Sequence, residues 1–403
     1  MTARGQKKLR WLTVNFCRLL LSATFLFSGV VKLIDPRGTQ YKIEDYAALW
    51  DLSAFVPHLA PLVLAVALAI VEFYVGFNLF FGIRRRTTTR LALLLMVVMT
   101  PLTLYLAWAD VQMDCGCFGD AVHLTNWQTF GKNLILLLAS LVVVRYYRML
   151  TRFITERNQW LLSLYALVFS LFLAIRCVHY LPVMDFRPYR IGTDLPKAME
   201  AEWESMDGEM RYADFSIQTL NGEDVTFEWL QKPGYKFLLV SPYLELANDD
   251  AMDCVNTLYD YCRRQGYPFL ALTSSTEEAI DRWKDITGAE YEFAQTDGTT
   301  LKTVIRSNPG LLLLHGGTIF QKWSCNNLPQ VEELTAPLEQ TPLGQMQVQS
   351  KWHTAYRLLL WFVIPLLLWT LIDRVWVGSK YYKRHKIRKR IFNNKEKVLK
   401  QEL

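Results

Sequence analysis

The stretch Pro61–Ile83, "PLVLAVALAIVEFYVGFNLFFGI", is apolar along almost its whole length, with Glu72 near its middle and Asn78 farther on. About 20 consecutive apolar residues cross the hydrocarbon core of a bilayer as a helix, so this run reads as a membrane span and decides the fold class. Working outward, five more runs have the same character: Trp11–Ile34, Leu91–Ala109, Phe130–Val144, Trp160–Val183 and Tyr356–Val377. The fourth and sixth in chain order, Phe130–Val144 and Tyr356–Val377, are marginal in length, and Pro365 is expected to kink the latter without forbidding it. Composition fits a membrane protein, because 51% of the 403 residues are hydrophobic while the chain still carries 44 Lys and Arg against 38 Asp and Glu. The charge must therefore be segregated.

The segregation sets a topology. Cytoplasmic loops concentrate Lys and Arg, and the basic segments here are "RGQKKLR" before the first span, "RRRTTTR" (Arg84–Arg90), "RYYRMLTRFITER" (Arg145–Arg157) and the tail from Lys380. They fall on one side by alternation. Both termini are then expected in the cytoplasm, with Asp35–Val56, Val111–Thr129 and the long stretch Asp185–His353 outside. The basic tail reads as a topology signal against anionic lipid rather than a nucleic-acid site. The first span lacks an A-x-A-like cleavage site and is expected to stay as an anchored helix. The domain plan is a membrane part over 11–150, a fifth span over 160–183, an outer domain over 185–353, a sixth span over 356–377 and a basic tail over 378–403.

Between Asp185 and His353 the pattern turns to strand-like runs and turn signals. "DFSIQTL" (Asp214–Leu220) and "DVTFEWL" (Asp224–Leu230) are read as strands flanking an Asn221-Gly222 turn, and "KFLLVSP" (Lys236–Pro242) as a fully buried strand. A helix over about 249–265, a strand "PFLALTS", a helix "TEEAIDRWKDI", a short strand "YEFAQT" and a hairpin around Gly316-Gly317 follow. Alternating strand and helix closed by a hairpin predicts a mixed sheet covered by helices.

Chemistry concentrates in "DCGCFGD", Asp114–Asp120, placed by the topology in a short outer loop. A zinc site at Cys115 and Cys117 would need His123 and a carboxylate from Asp110, Asp114 or Asp120, without the paired spacing of zinc motifs. A redox couple suits the oxidising outer face. Gly116 permits the tight backbone that a C-x-C disulfide needs, and so small a ring would be strained and exchange-active rather than structural. Inert packing is the third reading. Exchange requires a lowered thiol pKa, which Asp114 and Asp120 oppose, and no Lys or Arg lies nearby in sequence. Any activation has to come from another segment.

Glu72 sits where a charge costs about 3 kcal/mol or more, so it is expected to be protonated, paired or facing a polar cavity. Lys32, near the outer end of the first span, either snorkels or joins Glu72 and His123 as a proton or quinone contact. Asn78 is read as a structural bridge between helices. In the outer domain Cys254 and Cys262 are separated by about 12 Å of helix, beyond the reach of a disulfide, and read as small buried residues. Cys177 has a weak reading as a resolving thiol.

Two resemblances follow from these residues. "FLFSGVVKLIDP" (Phe25–Pro36), "VEFYVGFNLFFGI" (Val71–Ile83) and the C-G-C-F-G loop, in this order, resemble the DoxX and MauE group of four-helix membrane proteins over about 11–150. That resemblance implies membrane-linked thiol or sulfur redox chemistry on the outer face of a bacterial cytoplasmic membrane. Cys115 and Cys117 would be the reacting pair, an extracytoplasmic thiol protein the partner and quinone an electron acceptor. The outer domain is similar to the thioredoxin-like fold over about 214–324, with Pro309 where that family has its cis-proline. It departs from the family where the C-x-x-C should stand: "SPYLELANDD" (Ser241–Asp250) puts Glu245 and Asn248 there. A non-enzymatic scaffold or maturation factor, whose degenerate domain binds a partner, is the alternative.

Overall fold

A computed structural model describes residues 3–109, 111, 116–122, 124–205, 212, 214–346 and 351–399. The chain begins with α1 (Ala3–Ile34), α2 (Pro36–Leu49), α3 (Ala60–Phe81), α4 (Arg85–Trp108), α5 (Asn126–Arg145) and α6 (Gln159–His179). It continues through α7 (Leu195–Ser205), β1 (Gln218–Thr219), α8 (Thr226–Gln231), β2 (Tyr235–Ser241), α9 (Met252–Gln265) and β3 (Phe269–Thr273). Then come α10 (Glu277–Thr287), β4 (Glu292–Gln295), α11 (Gly298–Val304), β5 (Gly310–His315), β6 (Thr318–Ser324) and α12 (Lys351–Leu399).

Six helices, α1, α3, α4, α5, α6 and α12, contain segments long and apolar enough to cross a membrane. The chain is a multi-pass membrane protein. The span read as short, Phe130–Val144, lies within a longer helix. Thr125 caps α5 and forms a reciprocal box with Gln128, which starts the helix at Asn126. The last span is likewise part of a 49-residue helix, α12, continuous across Pro365. At 1.5 Å per residue it is about 70 Å long, far more than a bilayer's hydrocarbon core, so the helix runs on into the basic tail.

The bundle is held by close backbone approach and by polar groups satisfied between helices. α1 lies along α3, where a Cβ on Gly29 would come within 2.6 Å of Phe73 Cα, and one on Gly76 within 2.6 Å of the Leu26 nitrogen. Between membrane helices association depends on such close packing and interhelical hydrogen bonds. Ser22 donates to the Gly76 carbonyl at 2.8 Å, Ser163 donates to Asn78 at 3.2 Å, and Asn133 donates to Thr103 at 3.2 Å. Asn78 thus bridges α3 and α6 as its position suggested. Gly29→Ala should force α1 and α3 apart and cost about 1–3 kcal/mol, read as a lower melting temperature in detergent; an unchanged melt would refute the tight contact.

The rest of the chain forms a six-stranded mixed sheet in the order β1-β4-β3-β2-β5-β6. β2 runs parallel to β3 and antiparallel to β5, and β5 with β6 makes the hairpin expected at Gly316-Gly317. Alternation along β2 decides which side chain goes to which face. Phe237 and Leu239 pack with Val255 and Leu258 of α9 and Trp283 of α10, whereas Leu238 and Val240 pack with Leu195 of α7, Trp229 of α8 and Leu301 of α11. Both faces are covered, so β2 is apolar without a break from Phe237 to Val240.

Two strand readings fail. "DVTFEWL" forms the helix α8, because the Asp224 carboxylate accepts from the Thr226 amide at 2.9 Å and nucleates a turn that buries the adjacent Trp229 and Leu230 together. Alternating Val225, Phe227 and Trp229 gave a false period of two. "DFSIQTL" contributes only Gln218–Thr219, paired antiparallel to β4. The segment Asp35–Val56, for which the sequence suggested no regular structure, is mostly helix: Asp35 caps α2 by accepting from the Gly38 amide, with Pro36 in the first turn.

At the base of the sheet, Asp185 bonds Arg187 at 2.9 Å and Lys322 at 3.2 Å. Burial alone would raise its carboxyl, but these two cations hold it well below the usual carboxylate range. A depressed folded-state pKa stabilises above the unfolded value near pH 4 and is lost as pH falls through the folded one. Stability of the full chain should therefore decline below about pH 4, and Asp185→Asn should flatten that decline; an identical acid profile in the variant would contradict this.

Candidate functional site

The described part of the C-x-C loop, residues 116–122, packs against α1 and α2 and is reached by Arg306, which lies between α11 and β5. Cys117 is half-buried and disulfide-bonded, while Cys17, Cys177, Cys254, Cys262 and Cys325 are free thiols. Cys115, His123, Asp110 and Asp114 lie outside the described residues. Disulfide bonding at Cys117 is incompatible with its serving at the same time as a zinc thiolate. Asp120, one of the carboxylates considered for that site, is instead held by an arginine, as follows.

Beneath the loop, the two charges of the membrane part meet. Lys32 Nζ is 2.6 Å from Glu72 Oε1, with side chains 3% and 6% exposed. Snorkelling of Lys32 is thereby corrected: the side chain turns inward because a buried carboxylate offers a better partner than the interface. Ser28, one turn before Lys32 on α1, lies 2.6 Å from Glu72 Oε2 and also hydrogen-bonds the Cys117 carbonyl. A hydroxyl has a single proton to donate, and the Glu72 carboxylate and the Cys117 carbonyl both accept, so Ser28 donates to one or the other and sits between the ion pair and the C-x-C backbone. On α5, Lys132 sits 3.9 Å from the centre of the Phe118 ring, which Phe27 meets edge-on at 5.3 Å. Lys132 is also within electrostatic reach of Lys32 and Glu72.

Above the loop, Arg306 supplies the charge missing from the local sequence. Its side chain is 7% exposed, with Nε 3.0 Å from Asp35 and Nη2 2.9 Å from Asp120. Nη1 donates to the Lys302 carbonyl at 2.7 Å. Burial alone would lower its pKa, but Asp35 and Asp120 raise it, so the guanidinium stays charged. Gly116 adopts a left-handed backbone with φ of +66° and is covered by the side chain of Lys42 from α2. The Asp120 carboxylate is thus paired with a residue 186 positions away, and Lys42 and Lys132 lie beside the described part of the loop.

Where the sheet domain would carry a C-x-x-C, Glu245 accepts from Ser275 at 2.8 Å and the Asn248 amide donates to the Asn308 carbonyl at 3.0 Å. The Asn308–Pro309 bond is cis. Burial raises the thiols of Cys254 and Cys262, which marks them as unreactive. Cys177 is fully buried in α6 and inaccessible as a resolving thiol.

Ser28, Lys132, Arg306, Asp35 and Lys42 were not singled out by sequence. Ser28 and Lys32 stand four apart on one helix face, a signal that was available. Lys132 likewise stands inside an apolar run. Arg306 carries no such signal. No curated protein and no solved structure matches the chain significantly. Residues 10–146, which hold most of α1, all of α2, α3, α4 and α5 and the described part of the C-x-C loop, match the model of the family described as methylamine utilisation protein MauE, so that part of the chain is similar to that family of membrane proteins.

Proposed function

We propose that this is a thiol-disulfide exchange protein of the bacterial cytoplasmic membrane, with both termini in the cytoplasm and the sheet domain outside. Cys115 and Cys117 form the exchanging pair. A thiolate of an extracytoplasmic partner attacks the Cys115–Cys117 disulfide, one partner–cysteine bond forms, the intramolecular S–S bond breaks and a cysteine thiolate leaves. A second partner thiol resolves the mixed disulfide, which leaves the partner oxidised and the pair reduced. Two electrons and two protons passed to a quinone, giving the quinol, would restore the disulfide. The observation that carries this reading is the disulfide at Cys117 amid free thiols at every other described cysteine, with the Lys42 and Lys132 side chains beside the loop.

In this reading Lys32, Glu72 and Ser28 handle a proton beneath the loop, with His123 a further contact. The sheet domain is a thioredoxin-like domain without its own reactive thiols. Its parallel β2–β3 pair, antiparallel β5–β6 hairpin and helices on both faces support that assignment, as does Pro309 at the start of β5. With Glu245 and Asn248 in place of cysteines, its role is to bind the partner. The divisions 11–150, 160–183, 185–353, 356–377 and 378–403 describe the functional parts.

The test is trapping in intact cells. Cys117→Ser or Cys115→Ser should abolish turnover of the pair and accumulate a mixed disulfide through the remaining cysteine, identified by mass. If the wild-type pair never changes redox state and neither serine variant alters partner thiols, the exchange reading fails and the scaffold reading, in which the sheet domain binds a partner without chemistry, takes its place.

A further inference from the structure

A chamber of about 940 Å³ lies between the sheet domain and the membrane helices, apart from the ion pair beneath the C-x-C loop. Its two walls differ in kind. The floor is apolar and belongs to spans: Val63, Val66 and Ile70 of α3 with Ile175 and Val178 of α6. Val63 is 65% and Ile175 53% exposed, so this floor opens sideways to where lipid chains lie. The roof is polar and basic, with Arg37, Lys302 and Arg306 against Glu44 as the only carboxylate lining it among the described residues.

These cations are not equally occupied. Arg306 is taken by Asp35 and Asp120, and Lys302 is 3.6 Å from Glu44, which also accepts from Gln40 at 2.7 Å. Arg37 has no carboxylate within ion-pair distance among the described residues. Its one side-chain bond is a long 3.4 Å contact to Gln40, and its Nε is buried without a hydrogen-bond partner. Leaving a buried donor unmade costs about 1–3 kcal/mol, and a guanidinium fork matches phosphate oxygens in particular.

We propose that the chamber binds a membrane amphiphile with an anionic phosphate head group. The phosphate takes the free side of Arg37, and the chain leaves along the groove between α3 and α6 into the bilayer leaflet beneath the sheet domain. A lipid is favoured over a free anion because a free anion makes no use of the apolar floor. The volume falls within the range of small-ligand sites and suits a head group with the upper part of its chain.

The experiment is native mass spectrometry of the full chain released from nanodiscs of phosphatidylcholine mixed with phosphatidylglycerol. Wild type should retain phosphatidylglycerol in preference to phosphatidylcholine. Arg37→Gln should lower that retention by about tenfold, the scale of a charge-assisted hydrogen bond, while Arg37→Lys keeps part of it. Val66→Trp, which fills the floor without touching charge, should lower retention of the same lipid. Equal retention of the two lipids by wild type, or undiminished retention by both Arg37→Gln and Val66→Trp, would overturn the proposal. So would inorganic phosphate displacing the lipid at equal concentration, since that identifies a free-anion site.

Discussion

Glu72→Leu should lower the stability of the membrane part by about 3–5 kcal/mol, because removing one partner of a buried pair strands the other charge. Lys32 would be left as an ammonium 3% exposed with no carboxylate at ion-pair distance among the described residues. Ser28 would lose its bond to Glu72 and keep the one to the Cys117 carbonyl, so the C-x-C loop should loosen as well. Lys32→Met should be nearly as damaging for the mirror reason. The double variant Lys32→Met/Glu72→Leu should recover most of the loss, since an apolar pair of similar volume removes both desolvation penalties. Unfolding of all four proteins in mixed micelles gives the cycle directly. Additive losses, with no recovery in the double variant, would mean that the pair contributes no coupling and that α1 and α3 are held by packing alone.

Arg306→Gln is the second change with a large expected effect. It leaves Asp35 and Asp120 facing each other across the junction of the sheet with the helices, at a cost of about 3–5 kcal/mol by the same argument. The sign with pH follows from the chemistry: unpaired carboxylates in a poorly solvated place favour the neutral acid. The defect should be largest at neutral pH and shrink as pH falls and the two acids protonate. It should also reach the cysteines. With Arg306 in place the charge of Asp120, three residues from Cys117, is compensated; without it, the carboxylate opposes a thiolate. Alkylation of the reduced protein should therefore shift to higher pH in Arg306→Gln, and Asp120→Asn in that background should shift it back. If the alkylation profile of Arg306→Gln coincides with that of wild type while the fold is intact, Arg306 is a structural clamp with no influence on the thiols.

Much of this architecture was legible before any coordinates. Pro61–Ile83 could only be a span, and the other five spans followed by the same test of length and polarity, since a bilayer demands contiguous apolar residues on a helix. The buried strand at 236–242, the helix that follows it and the Gly316-Gly317 hairpin were readable because both faces of β2 are covered and glycine permits the turn. Legibility stopped where a period could be counterfeited. Val225, Phe227 and Trp229 alternate like a strand, but the Asp224 side chain accepts from the Thr226 amide and turns the chain into a helix, and α2 was hidden in a segment whose mixed polarity shows no strong periodicity.

The site divides in the same way. The pair Cys115 and Cys117, and the cost of Glu72 in a span, are properties of the chain itself: adjacency in sequence brings the cysteines together, and a carboxylate in hydrocarbon requires an answer wherever the helix packs. What answers it is not local. Lys32 faces Glu72 only because Gly29 and Gly76 let α1 and α3 approach closely. Asp120 is neutralised only because the chain returns after the sheet's parallel strands to set Arg306 against it. Electrostatic environment depends on distance in space and is built from segments far apart in sequence; the proposed cysteine pair was therefore legible in the sequence, and the charges that surround its described part only in the tertiary fold.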